Sequence, residues 1–140
     1  MAQTTTQSGR RGEAIAERYY LSQGFKIIAR NYSVRGGEID LVAYKHGEIV
    51  FVEVKARSSD RFGRPSEAVD DRKIAHLHRA QRMFLYDNMH SGRIEVWSPM
   101  LSRGVMRRIK RITCDIAEVY FDGEDGRVNI IKNAFEAAEI

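Results

Sequence analysis

Two short stretches of the chain place carboxylates and an ammonium group at two-residue spacing: Glu38-Ile39-Asp40 and Glu53-Val54-Lys55. Between them lies Lys45-His46-Gly47-Glu48, a tight hairpin turn in which glycine supplies a positive φ. If His46-Gly47 is the two-residue loop, directly opposed residues have numbers summing to 93, so Val42 faces Phe51, Asp40 faces Glu53 and Glu38 faces Lys55. Cross-strand partners have Cβ atoms about 5 Å apart, so the four charged side chains gather on one face.

Their surroundings make the gathering informative. Ile39, Leu41, Ala43, Val50, Val52 and Val54 are expected on the other face, while Val42, Tyr44, Ile49 and Phe51 continue the charged one, as in a central hairpin covered on both sides. Carboxylates facing each other at a partly buried site repel, and one must take up a proton unless a cation compensates. A divalent metal is the economical answer. Oxygen donors without His or Cys suit Mg²⁺ or Mn²⁺ better than zinc, and Lys55 can reach a water or phosphate oxygen beside such an ion. The alternative is a salt-bridge network of Asp40, Glu53, Lys55 and Glu38.

The elements that must position this hairpin can be read around it. Arg10 to about Gln23 carries apolar residues near helical spacing, with Ser8 as a candidate cap and Gly24 as the stop. FKIIARNYSV reads as a strand broken by Gly36-Gly37. After the hairpin, SSDRFGRPS is a loop whose Pro65 and Ser66 suit a helix start. Residues 67 to about 89 then carry Val69, Ile74, Leu77, Phe84 and Leu85 on one helical face. RIEVWS reads as a strand, PMLSRG as a turn, and VMRRIKRI as either a strand or a short basic helix. TCDIAEVYF and RVNII form a terminal hairpin around DGEDG, followed by NAFEAAEI. Residues 1–9 are expected to be a flexible arm, and 10–140 a single domain.

Composition narrows the class. With 140 residues, 43% apolar and 30% charged, the chain has material for one core and no disordered composition. No apolar run approaches the roughly 18 residues of a membrane span, and MAQTTTQSGRRGE lacks a signal peptide's apolar stretch. The expectation is a cytoplasmic protein without membrane partners. The one cysteine, Cys114, excludes an internal disulfide and leaves no zinc cluster. His76 and His78, two apart on a helix, cannot share a metal there. Net charge is +4, but residues 115–140 hold seven acids against two bases, leaving +9 on residues 1–114. A basic body beside a candidate metal site points to a polyanion.

GEIDLVAY followed by FVEVKAR resembles the metal-binding core of the restriction-endonuclease-like PD-(D/E)XK nucleases, in the form also seen in archaeal Holliday-junction resolvases. The wider pattern closely resembles the bacterial YraN family: RRGEAIAERYYLSQGFKIIARNYSVRGGEIDLVA, FVEVKAR, FGRPSEAV and a helix with Lys73. It runs from Gly9 to about Leu85 and resumes at CDIAEV and IIKNAF, whereas RIEVWSPMLSRGVMRRIKRI departs from it. The resemblance implies an α/β fold with a mixed central sheet flanked by helices. It makes Asp40 and Glu53 metal ligands with the Val54 carbonyl a third, Lys55 the catalytic lysine, and Glu13 an acid aimed at the metal or its waters. Glu17 is the substitute if the helix register differs. Gln81 with Tyr86 is similar to a Gln-xxx-Tyr exonuclease signature, but the tyrosine is one residue late, and both read as packing or surface residues.

The expected function is therefore Mg²⁺-dependent (or Mn²⁺-dependent) hydrolysis of DNA phosphodiesters, recognising structure, as in branched or repair and recombination intermediates, rather than sequence. A homodimer is compatible with this. Arg57, Arg61 and Arg64, directly after the catalytic strand, and Arg107 and Arg108, within the basic run Arg103 to Arg111, are the expected phosphate contacts, which supply affinity without sequence information. The run is expected to be a binding surface rather than a core element. The alternatives are a catalytically silent nucleic-acid-binding module and a scaffold with the same fold.

Overall fold

The computed structural model describes residues 5–57, 70–122 and 125–139. In chain order these form α1 (Thr5–Ser22), β1 (Lys26–Val34), β2 (Gly37–Lys45), β3 (Glu48–Arg57), α2 (Asp71–Asn88), β4 (Met89–His90), β5 (Arg93–Ser98), β6 (Arg103–Arg108), β7 (Arg111–Asp122) and β8 (Asp125–Phe135). A five-stranded sheet has the order β1-β2-β3-β7-β8, and a three-stranded sheet the order β4-β5-β6. The β3·β7 pair is parallel and the others are antiparallel, so the larger sheet is mixed. With α1 packed on one face and α2 on the other, this is a restriction-endonuclease-like α/β architecture. No helix of the described residues is long and apolar enough to cross a membrane.

Local chemistry explains the boundaries. Gly24 (φ 90°) closes α1 in a left-handed turn, and the Phe25 N–H donates to the Tyr20 carbonyl at 3.0 Å, the six-to-one bond of a Schellman ending. The helix begins at Thr5 rather than Arg10, because extending an existing helix adds a hydrogen bond per residue fixed. Ser8 thus lies inside the helix and not at its cap. His46 (φ 48°) and Gly47 (φ 85°) both take positive φ, the two-residue turn whose twist matches the flanking strands. The β2·β3 register is the expected one, with Val42 opposite Phe51 and Lys45 opposite Glu48.

Two apolar clusters lie on the two faces. Leu41, Ala43, Val50 and Val52 pack with Ile15, Ala16 and Tyr20 of α1, while Val42, Tyr44, Ile49 and Phe51 pack with Ala80, Phe84 and Leu85 of α2. Fully burying each such branched or aromatic side chain stabilises by about 1.5–3 kcal/mol. Phe84 anchors α2 edge-on against both Tyr32 and Phe51, at ring separations of 5.3 and 5.9 Å. Ile39 departs from the expected pattern. It packs in the α2 cluster with Val42, not with Leu41 and Ala43, so simple alternation along β2 fails next to Asp40.

The α2 cap is Asp70, whose carboxylate accepts the Lys73 N–H at 2.9 Å, rather than Pro65 or Ser66, which lie outside the described residues. Val69 lies outside them as well. VMRRIKRI resolves into a strand: β6 pairs with β5, and β7 starts at Arg111. The small sheet is fixed to the turn end of the large one, where Lys26 Nζ donates to the Trp97 carbonyl (2.7 Å) and Tyr44 Oη to the Arg108 carbonyl (3.2 Å). The terminal hairpin extends to Phe135, further than RVNII suggests.

Candidate active site

The site forms where β2 and β3 part. Their ladder ends at Leu41↔Val52, while β2 continues along β1 (Ile39↔Tyr32, Glu38↔Ser33) and β3 along β7 (Glu53↔Ile116, Lys55↔Glu118). The expected pairs Asp40↔Glu53 and Glu38↔Lys55 are therefore not ladder partners. A strand N–H deserted by its neighbour needs another acceptor, and Asp40 Oδ2 accepts the Val54 N–H at 2.8 Å. Because the N–H and C=O of one strand residue project to the same side, the Val54 carbonyl faces the same gap.

Burial and charge set the protonation there. Desolvation first, and the Glu53 carboxylate second, push Asp40 up to about 7, against the lowering effect of the Val54 N–H; Glu13 and Glu38 add to the rise. Glu13 is also raised, mainly by burial and next by Glu38. Four carboxylates, from α1, β2 and β3, thus lie within electrostatic reach of one another. Next to Glu13, Gly12 places α1 directly on β3: a Cβ there would be in ordinary contact with Val54 and Ala56 at 3.5 Å. Glu17 is committed elsewhere, accepting from Arg30 at 2.6 and 3.0 Å, which leaves Glu13 as the α1 acid facing the site.

Glu53 is only 6% exposed and has two ammonium neighbours, Lys55 Nζ at 3.5 Å and Lys73 Nζ at 3.4 Å. Lys73 reaches in from the first turn of α2 and is not among the site residues the sequence predicts; its position in the family-like pattern is the available signal. Among the described residues no three His, Cys, Asp or Glu side chains converge into a ready metal cage. The donors present are Asp40, Glu53 and the Val54 carbonyl, a set that fits a hard cation retaining several waters, as Mg²⁺ does.

The expected phosphate contacts divide. Arg61 and Arg64 lie outside the described residues. Arg57 Nη2 stands 3.8 Å from Oε2 of Glu118, which is 1% exposed and accepts from Asn129 at 3.0 Å. Arg57→Ala should therefore cost about 1–3 kcal/mol in chemical denaturation, because a buried carboxylate loses its counter-charge; unchanged stability would leave Arg57 with no structural role. Arg107 and Arg108 line a cavity of about 480 Å³ with Lys26, Lys45, His46 and Lys110 at the turn end of the β2–β3 hairpin. Five strand residues, roughly 16 Å, separate Glu48 at that end from Glu53. The structure thus separates these arginines from the carboxylates. Gln81 is buried, donating to Cys114 Sγ (3.2 Å) and accepting the Ala138 N–H (2.9 Å), and Tyr86 is exposed; both are the packing and surface residues expected.

Comparison with known proteins gives the family. A model of the "Uncharacterised protein family UPF0102" matches residues 12–98, a span that includes Glu13, Asp40, Glu53, Lys55 and Lys73. A UPF0102 protein of Syntrophomonas wolfei is 37% identical over 124 residues, covering 89% of this chain and 93% of its own length. One of Moorella thermoacetica is 37% identical over 137 residues, covering 96% and 100%, and one of Carboxydothermus hydrogenoformans is 45% identical over 80 residues, covering 57% and 68%. A family match over most of the chain, on a mixed sheet with this hairpin at its centre, makes the protein a member of the UPF0102 (YraN) family.

Proposed function

We propose that this chain is a Mg²⁺-dependent phosphodiester hydrolase acting on DNA in the cytoplasm, endonuclease-like, on branched or repair and recombination intermediates. The observation that carries the reading is the half-buried Asp40 carboxylate, held on the Val54 N–H where β2 leaves β3 and repelled by Glu53. Asp40, Glu53 and the Val54 carbonyl would hold the cation. When bound, such a cation acidifies a water and offsets charge on the scissile phosphate. The chain's own groups do the rest. Glu13 orients the attacking water from α1. Lys55 and Lys73, the ammonium groups beside Glu53, meet negative charge as it builds on the phosphate oxygens.

A second reading, a nucleic-acid-binding module without turnover, is favoured by the same two lysines, since a carboxylate already paired twice needs a metal less. Single-stranded, duplex, flap and four-way-junction DNA separate the two. Cleavage that requires Mg²⁺ or Mn²⁺ and stops in EDTA is the expected result; tight binding that is indifferent to EDTA, with no product from any substrate, supports the module.

A further inference from the structure

The small sheet carries features that the carboxylate site does not use. Its inner face is packed, with Ile94 and Val96 buried, while Arg93, Glu95 and Trp97 of β5 alternate onto the outer face. Their partners there are Arg108, Met106 and Gly104 of β6. Trp97 is 58% exposed, and at the hairpin tip Met100 is 92% and Leu101 52% exposed. These three and Met106 are four of the seven large apolar side chains exposed among the described residues. An apolar patch this concentrated marks a binding surface.

Its charge says what kind. Arg93 and Arg108 are directly opposed across the ladder, an arrangement that repels unless an anion intervenes. Among the described residues no ion pair joins Arg93, Arg103, Arg107 or Arg108 to a carboxylate. The one acid of the hairpin, Glu95, lies instead across Gly104, where a Cβ would collide with it. Trp97 lines a groove of about 320 Å³ with Lys26, Ile27, Ile28, Glu95 and Gly104, so one side of the indole faces open space beside β1. An exposed aromatic that shares its groove with Lys26, on a face that carries the Arg93–Arg108 pair four strand residues further along, roughly 13 Å away, is an arrangement that takes unstacked bases and their phosphates. A second copy of the chain fits less well, because a two-fold contact through this face would set arginines against arginines.

We propose that the outer face of the β5–β6 hairpin holds single-stranded DNA, with a base stacked on Trp97 and phosphates further along the strand on Arg93 and Arg108. The cavity lined by Arg107, Arg108, Lys26 and Lys110 continues the phosphate track toward the β2–β3 turn. This site rests on the DNA-hydrolase reading and deepens it by naming the form of DNA engaged, and its test needs neither metal nor cleavage.

Trp97 is the chain's single tryptophan, so intrinsic fluorescence reports on this residue alone. The full chain in EDTA is titrated with an oligothymidylate of about 15 nucleotides and with the matching duplex, while anisotropy of a labelled oligonucleotide gives affinity. The single strand is expected to quench Trp97 and the duplex, whose bases are stacked inward, to quench it far less. Trp97→Ala should weaken single-strand binding about 5- to 150-fold, with Trp97→Phe retaining most of it. Arg93→Glu with Arg108→Glu should flatten the salt dependence by about 0.7 in slope for each phosphate no longer held. Binding without quenching, equal quenching by the duplex, or an emission change that follows protein concentration without DNA and accompanies dimerisation would each overturn the proposal. Asp40→Asn should leave quenching unchanged. Quenching without cleavage would therefore sink the hydrolase reading alone, and cleavage without quenching this one alone.

Discussion

Asp40→Asn, Glu53→Gln and Lys55→Ala are each expected to lower DNA cleavage by about 10³-fold or more, equivalent to about 4 kcal/mol of transition-state stabilisation. The three act as a unit, so the double variants should be little worse than the singles. Asp40→Asn should not unfold the protein. The side-chain oxygen of asparagine can still accept the Val54 N–H, and removing one charge relieves the repulsion from Glu53, Glu13 and Glu38. Steady-state cleavage measured beside chemical denaturation separates the possibilities. Full activity in all three variants removes this site from consideration, and a large drop in stability in Asp40→Asn marks the cluster as structural pairing.

The second large effect is on stability as pH changes. Asp40 is raised in the folded protein to about 7 from an ordinary value of 3.8, first by burial and next by Glu53. Between those values the folded state holds more protons than the unfolded chain, so stability falls as pH rises. The contribution is fully present below about 3.8 and is lost as pH passes 7; Glu13, also raised, acts in the same direction. The metal-free protein should lose about 2–3 kcal/mol from this group between about pH 5 and pH 8, and Asp40→Asn should flatten that slope. Mg²⁺ at about 100 times its Kd should restore a similar amount at pH 8 and less at pH 5, where protons compete for the same oxygens. Denaturation midpoints at the two pH values, with and without Mg²⁺, provide the check. A slope of opposite sign, or one undiminished in Asp40→Asn, would rule out this account of Asp40.

The hairpin and its register were legible in the sequence alone. A His-Gly loop with positive φ at both residues sets the register of β2 against β3, and that register places Glu53 and Lys55 at defined positions on a strand apolar on both faces. Such features are local, fixed by turn chemistry and two-residue periodicity, and so legible without a partner. The same holds for the end of α1 at Gly24 and for the buried face of α2 at Leu77, Phe84 and Leu85. Tertiary structure decided what depends on distant residues. Strict alternation places Ile39 with Leu41 and Asp40 opposite Glu53, but β2 follows β1 while β3 follows β7, and the gap between them turns Asp40 onto the Val54 N–H. No local pattern announces that a neighbour will leave. Lys73 reaches Glu53 only because the crossover from β3 to β7 lays α2 across the sheet, and Arg57 meets Glu118 only because those two strands run parallel in adjacent register. The segment 89–110 is ambiguous in sequence because an edge ribbon with one thin apolar face satisfies strand and helix periodicities almost equally. Its strands exist because Ile94 and Val96 find a core built by α2 and β2, residues no nearby stretch of chain could supply.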